Sequence, residues 1–116
     1  MKTKTFSRKD KIIIYIEGQF TFSDHSFLEE TVELFEKCNQ DKKLAFFKKD
    51  GGHYKREILL DFSKCTFLDT CAIGMLALMN DEADKNFIYL TFKTGKGFCK
   101  ELFERINFKE LCRIEI

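Results

Sequence analysis

Residues 57–83 read EILLDFSKCTFLDTCAIGMLALMNDEA, and the order of patterns within them decides the fold. Ile58-Leu59-Leu60 is a short apolar strand signal, Ser63-Lys64 is a polar break, and Phe67-Leu68 leads to Asp69 and an apolar helix pattern from Ala72 to Met79. Strand, turn and helix therefore meet at Asp69-Thr70-Cys71. Asp69 suits the N-cap, because its carboxylate can accept from the unpaired amides of Cys71 or Ala72. A hydroxyl and a thiol then occupy the first turn, where free N–H groups and the positive end of the helix dipole favour an added anion. Gly74 lowers helix propensity, and the compensation expected for it is close packing against the sheet. Ile73, Leu76, Ala77 and Asn80 share one approximate face, while Met75, Leu78 and Met79 widen the apolar surface; core burial against a small sheet is the plainer reading of that extra surface, and contact of part of it with a second subunit or another partner is the alternative. The pattern ends at Asp81-Glu82.

Upstream, Lys11 to Glu17 contains the strongest strand signal, Ile12-Ile13-Ile14-Tyr15-Ile16, and Thr3 to Phe6 reads as an edge strand. A continuous apolar strand implies a sheet covered on at least one face by helices. Phe6 and the isoleucines are assigned to the core. A first helix begins between Thr21 and Asp24 and runs to about Asn39, with two alternative capping boxes, Thr21/Asp24 and Ser26/Glu29. Leu28, Thr31 or Val32, Phe35 and Cys38 recur on its inner face, beside Phe27 and Leu34. Asp50-Gly51-Gly52 is a tight turn, across which Leu44 to Phe47 and Tyr54 to Leu60 can pair as strands; a surface loop is the alternative. Lys48, Lys49, His53, Tyr54, Lys55 and Arg56 make this the most basic local cluster, either a solvated turn or a partner-binding patch.

Downstream, Phe87 to Phe92 reads as a strand and Phe98 to Ile106 as a helix packing through Phe98, Leu102, Phe103 and Ile106. Asn107 closes that helix in a left-handed conformation, and Leu111 to Ile116 forms a last strand. The order is β, β, α, an optional β, β, α, β, α, β: one layered α/β domain over residues 1–116, with a mixed sheet packed against helices.

At 116 residues the chain has the size of one domain. Its 20 basic side chains nearly balance its 19 acidic ones, which removes the general electrostatic case for nucleic-acid binding. No stretch approaches the roughly 18 consecutive apolar residues of a membrane span, and MKTKTFSRKDK lacks the apolar core of a signal peptide. The 5 cysteines, without a CxxC pair, read as reduced and mostly buried thiols, and a cytoplasmic location with no membrane insertion is the expectation. Thr94-Gly95-Lys96-Gly97 lacks P-loop spacing, and His25 and His53 form no zinc motif with the cysteines. No catalytic group, metal or cofactor is assigned, and a non-enzymatic protein is expected.

Three stretches, IIIYIEGQFTFSD (12–24), ILLDFSKCTFLDTCAIGMLALM (58–79) and GKGFCKELFERINFKELCRIEI (95–116), together resemble a STAS domain of the kind found in bacterial anti-sigma factor antagonists. The central stretch is the specific one. KKDGGHYKRE (48–57) is longer than the corresponding connection of a minimal family member. The usual family motif has an Asp followed by two small hydroxyl residues, then Gly and an aliphatic residue, and a partner kinase phosphorylates the second hydroxyl. Here it reads Asp69-Thr70-Cys71-Ala72-Ile73-Gly74, so the resemblance puts Cys71 at the phosphoacceptor and Ala72 at the usual Gly. Three readings stay open: binding without phosphorylation, phosphorylation of Thr70, and a Cys71 thiol switch with a depressed pKa at the helix end. The resemblance implies a regulatory protein-binding module whose contact residues are Asp24, Asp69, Thr70, Cys71, Ala72 and Gly74. Its partner would be a serine kinase that also restrains a sigma factor. Alternatives are a STAS subunit bound to the ATPase of a lipid-transport complex, a thiol-dependent enzyme, and self-association.

Overall fold

The computed structural model describes residues 1–116. A sheet of five strands has the order β1 (Lys2–Ser7), β2 (Lys11–Phe20), β5 (Arg56–Leu68), β6 (Ile88–Lys93) and β7 (Arg113–Glu115). β1 is antiparallel to β2, and the other neighbours are parallel. Helices α1 (Ser26–Gln40), α2 (Thr70–Lys85) and α3 (Phe98–Arg105) form the crossovers. Strand alternation sends Ile12, Ile14 and Ile16, Ile58, Leu60 and Phe62, and Ile88, Leu90 and Phe92 into one apolar cluster with the helices. The mixed sheet layered against helices agrees with the sequence expectation.

Several local expectations are corrected. Phe6 is exposed on the sheet face away from that cluster, edge-on to Tyr15 at 5.6 Å, instead of in the core. β5 runs unbroken through Ser63-Lys64, because β-bulges shift its register with β2 after Tyr15 and again at Gly18, leaving both polar residues outside. α2 continues past Asp81-Glu82 to Lys85, since Ala83 keeps the buried face going. That face is Ala72, Met75, Leu76, Met79 and Ala83, so both methionines are core and Leu78 carries the surplus apolar surface. In α3 the inward residues are Cys99 and Phe103, while Phe98 and Ile106 are exposed. Asn107 does take the left-handed conformation, at φ 57°.

The first helix splits in two. A 3-10 turn at Phe22–Asp24 precedes α1, and Asp24 closes it by accepting the Thr21 amide at 3.0 Å. Ser26 is already helical, so the Ser26/Glu29 box does not form. The inner face of α1 is Phe27, Thr31, Phe35 and Cys38, and the Thr31 hydroxyl donates to the Phe27 carbonyl at 2.7 Å.

The basic segment forms a small separate hairpin, β3 (Phe47–Lys49) with β4 (Gly52–Tyr54). Asp50 and Gly51 both have positive φ, 49° and 81°, as a two-residue type I′ turn requires. The strands are shorter than expected: Leu44 to Phe46 stay outside β3, and a break at Lys55 separates Tyr54 from β5. The hairpin lies against the sheet near Tyr89, whose ring meets Tyr54 at 5.1 Å and whose hydroxyl donates to Asp50. Arg113 sits 4.1 Å above the Tyr89 ring and donates to the Tyr54 hydroxyl at 2.8 Å, and Lys49 pairs with Glu57 at 2.9 Å. Of the apparent basic patch, Lys49 and Tyr54 are thus engaged in holding the hairpin down, while Lys48 and His53 are exposed.

Candidate functional site

β2, β5 and β6 are parallel, so the segments that leave their carboxyl ends gather at one edge of the domain. They are the 3-10 turn, the start of α2 and the loop into α3. Such an edge is where open α/β sheets place their sites, because the chain there is free of ladder pairing and varied in side chain.

Asp69 organises the edge. One carboxylate oxygen caps α2 by accepting the Ala72 amide at 2.7 Å, as its position in the sequence suggests. The other accepts the Phe22 amide at 3.0 Å. A single side chain thereby fixes the first turn of α2 to the turn that follows β2. Asp24 lies within that second turn and shapes it through Thr21.

Thr70 and Cys71 are both exposed in the first turn of α2, and Ala72 is buried beneath them. The helix dipole and the unpaired first-turn amides make this a favourable place for negative charge. Gly74 is also exposed, and a Cβ added to it would meet nothing within 4 Å, which corrects the expectation that it packs against the sheet. Asp69, Thr70, Cys71 and Ala72 are consecutive around the helix start, and Asp24 joins them through the Asp69–Phe22 contact.

Sequence reasoning missed the aromatic side chains of this edge. Phe22 is 58% exposed, Phe67 41% and Phe98 39%. Phe67 and Phe98 lie 5.9 Å apart between ring centres, and Phe22 lies beside His25 at 5.4 Å. Large apolar groups left open next to a polar helix start are the composition of a protein-contact surface, with an apolar centre and hydrogen-bonding neighbours. The signal was present as phenylalanines at element boundaries, but apolar pattern alone assigned Phe98 to the core.

His25 and His53 are exposed, and no group of three or more His, Cys, Asp or Glu side chains is placed to hold a metal ion. No helix is long and apolar enough to cross a membrane. Cys38 is buried, and burial, partly offset by Arg56, pushes its thiol pKa up, in keeping with a core residue.

A family model described as STAS domain matches residues 3–115. No curated protein matches the sequence. Among solved structures, an anti-sigma factor antagonist from Mycobacterium paratuberculosis superimposes with TM-score 0.71 at 10% identity, covering 98% of this chain and 84% of that one. A candidate anti-sigma factor antagonist from Thermotoga maritima gives 0.72 at 11%, covering 98% and 86%. The Bacillus cell fate determinant SpoIIAA in its phosphorylated form gives 0.57 at 9%, covering 99% and 92%. At such identities the structural likeness is one of fold.

Proposed function

Because the chain belongs to the STAS domain family, we propose that it is a non-enzymatic regulatory module that binds a protein partner through the start of α2 and the aromatic residues around it. The observation that carries this reading is the exposure of Phe22, Phe67 and Phe98 at the same edge as exposed Thr70, Cys71 and Gly74. Inside the domain these aromatic faces are only partly covered, and burying them against a partner contributes roughly 25 cal/mol per Å² of apolar area. The anti-sigma factor antagonists among the structural neighbours suggest the partner class, an anti-sigma factor, and the family resemblance of the Asp69–Gly74 motif makes that partner a serine kinase as well.

The resemblance puts Cys71 where the family accepts phosphate, and a thiol is no substrate for serine or threonine phosphorylation. Binding here is accordingly constitutive with respect to position 71. A second reading has one specific support: Thr70 is exposed in the same turn, and a phosphate there would add about 1.5–2 negative charges beside the helix amides.

Affinity capture from native cytoplasm, comparing wild type with Thr70→Glu and Cys71→Ser and mapping phosphosites in the same samples, separates these readings. A kinase-like partner held equally by wild type and Thr70→Glu, without phosphate on Thr70, supports constitutive binding. Phosphate on Thr70 with capture lost in Thr70→Glu supports the switch. Capture of a transporter ATPase in place of a kinase overturns the partner class.

A further inference from the structure

The sheet has a second face. The alternation that sends Ile14, Leu60 and Phe62 toward the helices turns Tyr15, Asp61 and Ser63 the other way. The β3–β4 hairpin covers this face around Glu57 and Tyr89. Further along β5, beside Asp61, the face is left open as a hollow of about 450 Å³, walled by Phe6 and Tyr15 and floored by Asp61 and Ser63. That is the size of a small-molecule site.

Asp61 is 8% exposed, and a carboxylate so far from water is costly unless its oxygens are hydrogen-bonded or paired. Oδ1 accepts from the Ser63 amide at 2.9 Å and from the Ser63 hydroxyl, which also secures the bulge where β5 loses register with β2. Those bonds use one oxygen only. Oδ2 accepts from no protein group, and Asp61 belongs to no ion pair. No fully buried side-chain oxygen in the protein lacks a partner, so Oδ2 is accessible, and the hollow is what it opens on.

Strand register puts a charge of each sign on the two sides of this hollow. Lys4 lies opposite Tyr15, and Tyr15 lies opposite Asp61, so the three form a row across β1, β2 and β5. With one strand between them, the backbones at Lys4 and Asp61 are about 10 Å apart. Lys4 is in no ion pair, whereas Lys64 at the rim is paired with Glu17 at 3.6 Å. The hollow therefore presents one unpaired carboxylate, one unpaired ammonium and two aromatic rings set edge to face at 5.6 Å. A carboxylate beside aromatic rings suits an organic ammonium, which gains both a charge-assisted hydrogen bond and the ring quadrupoles. A ligand with positive charge alone would be repelled by Lys4. One that also carries a carboxylate satisfies both sides.

We propose that this hollow binds a small zwitterion of the α-amino acid class with an apolar or aromatic side chain. The ligand ammonium donates to Asp61 Oδ2, its carboxylate faces the Lys4 ammonium, and its side chain packs against Phe6 and Tyr15. Ser63 holds the Asp61 carboxylate in place through Oδ1, so the free oxygen is oriented before the ligand arrives. Binding is non-covalent, and no proton transfer is required of Asp61. None of Phe22, Phe67, Thr70 and Phe98 lines the hollow, so the site is separate from the docking surface proposed above and does not depend on it.

The test titrates the full-length chain with L-phenylalanine and L-leucine, and with phenethylamine and hydrocinnamate as probes that lack the carboxylate and the ammonium respectively. Calorimetry gives the affinities and amide chemical shifts give the location. The expected result is saturable binding of at least one amino acid, with the largest shifts at Lys4, Tyr15, Asp61 and Ser63. Hydrocinnamate should bind at least about tenfold more weakly than L-phenylalanine, because it leaves Asp61 without a donor. Asp61→Asn keeps an oxygen for the Ser63 bonds but removes the charge, and it should weaken amino-acid binding by about tenfold or more. No saturable binding of either amino acid, or shifts gathered away from this face, overturns the proposal. So does hydrocinnamate binding as tightly as L-phenylalanine, or a folded Asp61→Asn chain with wild-type affinity. Phenethylamine equal to L-phenylalanine overturns the zwitterion class by removing Lys4 from the site. If Asp61→Asn fails to fold, Phe6→Ala takes its place: that ring is 54% exposed and contributes little to the fold, so unchanged affinity in Phe6→Ala counts against the site.

Discussion

Asp69 accepts the Phe22 amide at 3.0 Å across 47 residues of sequence, while its other oxygen caps α2 through Ala72 at 2.7 Å. One carboxylate therefore couples the first turn of α2 to the end of β2, and the geometry of the exposed edge depends on both bonds.

Asp69→Ala removes an N-cap and a second hydrogen bond, and the expected loss of stability is about 1–3 kcal/mol by urea denaturation. Asp69→Asn keeps one acceptor oxygen, so it should lose roughly half as much. Equal losses for the two variants would mean that the Phe22 and Ala72 bonds do not act separately.

The contrast between Gly74 and Gly95 gives a second outcome. Gly74 is exposed in mid-helix with open space around it, so Gly74→Ala should stabilise the domain by about 0.5–1 kcal/mol. Gly95 has φ +68°, and an added Cβ would press on Ser63, so Gly95→Ala should cost about 1–3 kcal/mol. Thermal denaturation of the two variants reads both signs. If Gly74→Ala also weakens partner capture, the missing side chain serves the docking surface, since nothing inside the domain requires it.

How much of this was legible in the sequence varies by residue. The isoleucines of β2 and the cap at Asp69 were, because an apolar run and a capping residue are local signals. Phe6 and Phe98 were not: pattern marks a residue as apolar but says nothing about whether helices cover its side of the sheet. The end of α2 was misjudged because Asp81-Glu82 looked like a break, while the single small residue Ala83 was enough to carry the buried face onward. Among the candidate site residues, Asp69 through Ala72 needed only local reasoning. The joining of Asp24 to them depends on a contact 47 residues apart that no periodicity encodes.

The exposed phenylalanines should matter more for binding than for folding. Phe67→Ala and Phe22→Ala each remove a side chain that is already substantially open to water, so each should change stability by less than about 1 kcal/mol. A buried aromatic anchor in a protein interface typically accounts for at least about 2 kcal/mol, a roughly thirtyfold loss of affinity. Titration of each variant against the captured partner checks this, and unchanged affinity for both would remove the aromatic edge from the contact surface.

The hairpin clamp predicts a pH dependence at the alkaline end. Burial, reinforced by the hydrogen bond to the Asp50 carboxylate and by its charge, pushes Tyr89 up to about 12 from an ordinary value of 10. Above pH 10 the unfolded chain gives up the Tyr89 proton while the folded chain keeps it, so the unfolded state binds fewer protons and stability falls as pH rises. The contribution is fully present below pH 10 and is lost progressively as pH climbs through about 12, with a size on the order of 2 kcal/mol. Tyr89→Phe removes both the titrating hydroxyl and its bond to Asp50. It should be less stable than wild type at neutral pH by about 1 kcal/mol, yet show a flatter decline between pH 10 and 12. Amide exchange in the Tyr89→Phe chain should rise first at His53 and Tyr54, the strand that Tyr89 and Arg113 hold down. Parallel pH–stability curves for the two proteins would show that Tyr89 titrates alike in the folded and unfolded chains, and the clamp would then owe its hold to Arg113 and Lys49.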